Sequence, residues 1–238
     1  MRAKAQTTGT ALAVAVFTVP ALLLTSACGA VGGTDGDGRP GEAAVLSESR
    51  LEEAGLARGD VPGYQVADDR ASSGPEGQPE ADARECQPIA DILGDEPDGR
   101  ALDTVSRGLG TPRDPDLAVS VSLSSYEPAT AKDVLAGLRA ALRDCGSAFL
   151  ATVQERTGRY EDIRAVDYAP EGGDESVSFT ATATDSDTRL PLHIVVVRGG
   201  STVVRMMALS FDAKRTDPRV PRRIADKQME KLAGVTGS

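Results

Sequence analysis

LPLHIVVVRGGSTVVRMMALSF, residues 190–211, decides the fold class. Two β-branched, apolar runs, Leu190 to Arg198 and Thr202 to Phe211, flank Gly199-Gly200. Paired glycines between such runs mark a β-hairpin, because the tight turn needs φ > 0. The Val-rich centres of both runs place them as central strands of a sheet.

Working outward, Val177, Phe179, Ala181 and Ala183 alternate with Ser178, Thr180, Thr182 and Thr184. Leu117, Val119, Val121 and Leu123 alternate with Ala118, Ser120, Ser122 and Ser124. A period of two gives each strand one dry and one wet face. Tyr64 to Ala67, Phe149 to Val153 and Ile163 to Tyr168 read as further strands. Ser49-Arg-Leu-Glu52 is a capping box opening a short helix with Leu51, Ala54 and Leu56. Pro88 suits a helix first turn, with Ile89, Ile92 and Leu93 inward. Thr130 with Asp133 caps a longer helix in which Val134, Leu138, Leu142 and Cys145 share a face and Gly146 ends it. Pro218 to Leu232 forms a closing helix with Ile224, Ala225, Gln228 and Leu232 inward, and residues 72–83 are a polar surface excursion. These elements predict an α+β fold, an antiparallel sheet of about five or six strands packed with helices.

Residues 1–27 have the three parts of a secretory signal: Arg2 and Lys4, an apolar run from Ala11 to Leu24, and the small residues Thr25-Ser26-Ala27. As a helix the apolar run reaches about 21 Å, short of the ~30 Å hydrocarbon core. Leu24-Thr25-Ser26-Ala27-Cys28 resembles a bacterial lipobox, with Leu24 one place earlier than usual. That resemblance implies a diacylglyceryl group on Cys28 and a lipid-anchored protein on the outer face of the cytoplasmic membrane. Residues 28–43 then form a Gly-rich tether that buries too little apolar surface to fold, and residues 44–238 form the folded domain.

The sequence has 238 residues, 26 basic and 36 acidic. Its leader carries two of the bases and no acid, so the remainder has 24 against 36, a net charge of −12. Such a surface repels nucleic acid. There is no Trp and only 3% aromatic residues, which argues against a sugar-stacking face. With Cys28 acylated, Cys86 and Cys145 are an even pair outside the cytosol and read as a disulfide.

Catalytic signatures are missing. His193, the single histidine, sits inside a strand run. No nucleophile elbow, zinc ligand set or phosphate-binding glycine loop is present, so neither metal nor cofactor is expected. The acidic pairs Asp174 with Glu175 and Asp185 with Asp187 are the only material for the alternative reading, a cell-envelope hydrolase with carboxylates across a cleft. Arg215, Arg219, Arg222, Arg223, Lys227 and Lys231 make a basic stretch, read as a solvated helix face or as a contact for anionic lipid or wall polymer.

Gly59-Asp-Val-Pro-Gly-Tyr64, Cys86-Gln-Pro-Ile89, Leu93-Gly94, Ser124-Ser-Tyr126, Phe179-Thr-Ala-Thr182 and Val196-Val-Arg-Gly-Gly200 recur in order. In these motifs the chain resembles the PknH-like extracellular sensor domains of high-G+C Gram-positive bacteria, over about residues 44–235. The resemblance implies an antiparallel sheet backed by helices, disulfide support and a ligand cleft. Kinase members carry more than one disulfide, whereas this chain can form one after acylation.

The function expected is therefore a non-enzymatic envelope domain that binds a small ligand or a partner protein. Val177, Phe179 and Ala181 need a cover, and the helix carrying Val134, Leu138 and Leu142 supplies it. Thr180, Thr182 and Thr184 then form a hydroxyl row on the other face. If the terminal helix or the excursion overhangs it, the row becomes the floor of a polar cleft, with Arg198 or Arg205 at its rim. A polar or anionic ligand held without metal is the expectation.

Overall fold

The computed structural model describes residues 44–68, 77–94, 99–185, 188–212 and 214–237. The signal segment, Cys28 and the tether lie outside the described residues, as do residues 72–76 of the polar excursion. Helix α1 spans Glu48–Ala54, followed by strands β1 Gln65–Asp68 and β2 Glu80–Ala81. Helix α2 is Gln87–Leu93, then come β3 Asp103–Thr111, β4 Asp114–Ser125 and helix α3 Pro128–Asp144. Strands β5 Ala148–Val153, β6 Arg156–Ala165, β7 Glu175–Asp185, β8 Thr188–Gly199 and β9 Thr202–Ser210 lead to the terminal helix α4 Arg222–Thr236.

All nine strands join one sheet in the order β1-β3-β4-β9-β8-β7-β6-β5-β2, and every pairing is antiparallel. The fold is α+β as expected, but the described residues form nine strands in place of the expected five or six. Strand β3 escapes the pattern because Arg107 occupies one of its inward positions, between Val105 and Leu109. Arg107 is tolerated there because it donates to the carbonyls of Leu56 and Ser106 and pairs with Glu52. Strand β2 is two residues long at the sheet edge. Strand β6 runs Arg156–Ala165 and not Ile163 to Tyr168, and its largely polar RTGRYEDIRA sequence offers no apolar alternation by which to place its start.

The hairpin β8–β9 lies in the centre, and Ile194 through Val197 are fully buried. That follows from helices on both faces. On one, α1 and α4 pack over β3, β4, β9 and β8, burying Leu51, Ile224 and Leu232 against Val121, Val195 and Met206. On the other, α2 and α3 pack over β8, β7 and β5, burying Leu135 and Leu138 against Phe179, Ile194 and Phe149. The dry face of β7 is thus covered by the helix expected to cover it.

Helix ends depart from the expected caps. Helix α1 starts after Ser47 with no side-chain cap, and Glu52 turns instead to Arg107. Helix α3 starts at Pro128, whose missing N–H is harmless in a first turn. Gly146, at φ 78°, terminates α3 as expected.

Cys86 and Cys145 are disulfide-bonded, with Cα atoms 4.8 Å apart. The bridge joins the start of α2 to the end of α3. Closing a loop of this length stabilises a fold by about 4 kcal/mol in the chain-entropy model. Replacing both cysteines with Ala should therefore lower the unfolding free energy by about 2–5 kcal/mol, read from denaturant melts. An unchanged midpoint would show that the bridge contributes nothing.

Candidate functional site

The hydroxyl row of β7 divides into parts with different environments. Ser178 is buried and donates a 2.6 Å hydrogen bond to the Tyr168 carbonyl, pinning the segment after β6 across the sheet. Thr180 is 8% exposed, and its hydroxyl has no hydrogen-bond partner among the described residues. Thr182 is half-buried and reaches the Asp162 carboxylate at 3.5 Å. Thr184, at the strand end, donates to Glu161 at 3.4 Å.

Thr180 and Thr182 line a cleft of about 720 Å³, within the ~300–1,000 Å³ range of small-molecule sites. One wall is β6, carrying Asp162 and Arg164, and the other is the approach to α4, carrying Arg215, Asp217 and Arg219. Thr184 does not line this cleft. It belongs to a neighbouring hollow with Tyr160 and Arg159. The cover over the row is thus the lead-in to the terminal helix.

A β-bulge shapes the first wall. Glu161 pairs with Thr182 and Arg164 with Thr180, so two residues of β6 oppose one of β7. Asp162 absorbs the extra residue at φ 55°, a region that non-glycine residues seldom occupy. Around it, Arg189 pairs with Glu161 and with Asp162 at 3.5 Å. A hydrogen bond from Arg159, with the charge of Arg189, holds the Glu161 carboxyl below its ordinary range. Across the cleft, Arg215 grips Asp114 with two hydrogen bonds of 2.8 and 3.0 Å, and Arg219 pairs with Asp217 at 3.1 Å.

His193 lies beside Thr180 on β8 and is fully buried. Its Nδ1 accepts a 3.0 Å hydrogen bond from the Val220 amide, so the neutral ring carries its hydrogen on Nε2, which has no partner among the described residues. Tyr168 packs edge-on at 5.0 Å. Burial, with the charge of Arg219 adding to it, lowers the His193 pKa to about 4.

Arg198 and Arg205 are not at the rim of this cleft. Both point to the opposite face of the sheet, since Arg198 shares the parity of Ile194 and Val196, and Arg205 that of Val203. Arg198 holds Asp174 at 2.6 Å and Glu175 at 2.7 Å. Arg205 donates to the Ile92 and Gly94 carbonyls at the end of α2, where a cation complements the helix dipole. Parity within each strand was the signal that separates them from Thr180. Of the cleft arginines, Arg164 and Arg189 carry no mark of a site in the sequence, whereas Arg215 and Arg219 belong to the basic stretch read as a solvated helix face or a contact for anionic lipid or wall polymer. Arg164 follows inward-facing Ile163, which is the trace it leaves in sequence.

The other charged groups are dispersed. Asp174 and Glu175 stand at one end of β7 and Asp185 at the other, roughly 33 Å away at a strand rise of about 3.3 Å per residue. Asp187 lies outside the described residues. Burial pushes the Glu175 carboxyl up, but hydrogen bonds from Arg198 and Arg139 outweigh it and hold it below the ordinary range. Such a carboxylate is a poor general acid. The basic stretch is tied down locally: Arg222 lies over Tyr168 at 4.7 Å, Arg223 over Tyr64 at 5.6 Å, and Lys231 bonds Asp60 at 2.7 Å. Among the described residues, no group of three or more His, Cys, Asp or Glu side chains is gathered as for a metal. Nor is any helix there long and apolar enough to cross a membrane.

This architecture is found in a solved structure. The chain is similar to the crystal structure of the extracellular domain of PknH from Mycobacterium tuberculosis, with a TM-score of 0.51 and 11% identity. The match covers 82% of this chain and 100% of that one. A crystal structure of an Rv0999 ortholog from Mycobacterium smegmatis aligns over 82% of this chain and 98% of that one, at 10% identity and a TM-score of 0.42. No protein-family model matches the chain, and no curated protein matches its sequence. The likeness read from the short motifs is thus a likeness of fold to a PknH-like extracellular domain.

The buried histidine sets a pH dependence. Its folded pKa lies below the unfolded 6.5, so the unfolded chain takes up the proton first and stability falls as pH drops below about 6.5. The slope approaches about 1.4 kcal/mol per pH unit. Between about pH 6.5 and pH 5, above the carboxylate range, denaturant melts of the native protein should lose stability, and His193→Gln should flatten that window. An unaltered slope in the variant would contradict the assignment.

Proposed function

We propose that this chain is an exported, lipid-anchored binding domain, and that its ligand sits in the cleft floored by Thr180 and Thr182. The observation that carries this reading is Thr180: the residue lines a cleft of small-molecule size, and its buried hydroxyl is without a partner among the described residues. An unsatisfied buried hydroxyl costs about 1–3 kcal/mol. A ligand that bonds to it removes that cost. The acidic pair at the start of β7, Asp174 and Glu175, is not in the lining of this cleft, and of the two carboxylates that are, Asp162 pairs with Arg189 and Asp217 with Arg219, which favours binding over hydrolysis. Placement outside the cytoplasm draws support from the signal-like leader, the disulfide and the fold shared with an extracellular domain. The lipobox-like Leu24 to Cys28 supports attachment through a diacylglyceryl group to the outer face of the cytoplasmic membrane.

Native mass spectrometry of protein recovered from its own envelope should find an added mass on the wild type. Thr180→Val combined with Thr182→Val keeps side-chain shape and removes both hydroxyls. This pair should lose the added mass with little change in melting temperature, and retention of it would refute the cleft as the site. Separately, Cys28→Ser should move the protein from the membrane fraction to the medium, or leave the precursor uncut. Membrane attachment of a cleaved serine variant would rule out the anchor.

A further inference from the structure

Resting on that cleft, we propose that the ligand carries an oxyanion, a carboxylate or a phosphate, held between the Arg164 guanidinium and the Thr180 hydroxyl. The two residues face each other across β6 and β7. Arg189 is paired with Glu161, Arg215 with Asp114 and Arg219 with Asp217. The guanidinium of Arg164, an exposed residue, makes no hydrogen bond or ion pair among the described residues. Among the described residues, the cleft lining therefore holds one cation whose charge is not answered locally, beside a hydroxyl whose hydrogen is not used.

The bulge puts Arg164 there. Continuing the register from Glu161 opposite Thr182 without an extra residue would set Ile163 opposite Thr180 and Arg164 opposite Phe179. The isoleucine would then face the cleft and the arginine the core under α3. The inserted residue, with Asp162 at φ 55°, reverses both. It buries Ile163 and delivers the guanidinium to the cleft. Bulges beside functional sites serve to re-aim a side chain in this way.

The donor set has the chemistry of an anion site. A guanidinium presents a planar fork that meets two oxygens of a carboxylate or phosphate, and the hydroxyl can donate to the same group. In a chain with 36 acidic residues against 26 basic ones, an anion finds little attraction elsewhere on the surface.

The test uses the full chain in non-ionic detergent, titrated at constant ionic strength with inorganic phosphate and, separately, with succinate. Amide resonances of residues 162–166 and 180–182 report occupancy. Saturable shifts with at least one anion are expected, and the responding anion tells phosphate from carboxylate. Affinity should fall about tenfold or more in Arg164→Gln and Thr180→Val, the loss expected for a charge-assisted hydrogen bond, and stay unchanged in Arg143→Gln on the opposite side of the molecule. Because Arg164 is exposed, its replacement leaves folding intact, which the melting temperature verifies. No response to either anion, or an equal response in Arg164→Gln, overturns the oxyanion assignment. In that event, an uncharged envelope-derived adduct lost on removal of the two hydroxyls leaves the cleft standing as a ligand site. An adduct retained in that variant removes the cleft as well.

Discussion

Burial of the β8–β9 hairpin on both faces is the constraint on which the rest of the molecule depends. Ile194 to Val197 leave neither face of β8 fit for water, so each side of the sheet needs a helical layer. Two helices side by side span about 20 Å, whereas nine strands at ~4.8 Å spacing span about 38 Å. Neither pair can cover its face. Both must cover the hairpin, so α1 and α4 extend from it toward β3, while α2 and α3 extend toward β5. The layers are staggered diagonally, and each face keeps an open part. Over β6 and β7 that opening is the arginine-walled cleft. Over β3 and β4 it is a smaller hollow with Ser106, Gly108 and Ser120.

Attachments that lock the layers to the sheet are polar as well as apolar. Arg107 reaches from β3 to the carbonyl after α1, and Arg205 reaches from β9 to the end of α2. Each is buried, and each satisfies carbonyls that would otherwise be orphaned. Gln228 does the same from α4 to Ala54 at 2.8 Å. The disulfide adds a covalent tie between α2 and α3, so both helices of one layer are fastened to each other as well as to the strands.

The cleft follows from the same arrangement. Its floor is the wet face of β7 at the approach to α4, and its outer wall is the extended run that Pro218 and Pro221 keep from becoming helix before Arg222. The polar row contributes unequally because cover varies along it. Ser178 is consumed by Tyr168, Thr180 is shielded without being bonded, and Thr184 lies beyond the cover. In a chain of net negative charge, cationic groups gather here because β6, β8 and the lead-in to α4 each bring an arginine to the same opening.

The residue pattern alone marks the hairpin, the two-faced strands β4 and β7, the helix packed on the dry face of β7, and the cysteine pair. All rest on period, parity or turn chemistry within a few residues. It also marks Thr180 and Thr182 as a polar face awaiting a cover. The remaining features arise from contacts between distant segments. Strand β3 is a strand because long-range partners satisfy Arg107, which no local pattern records. Arg198 and Arg205 left the site because their strands turn them to the other face, where acids and helix carbonyls await. Arg164 entered it through a bulge, a shift of one residue in pairing between strands. Which residues meet across a sheet depends on register, and register is set by contacts between segments, not by the composition of either one.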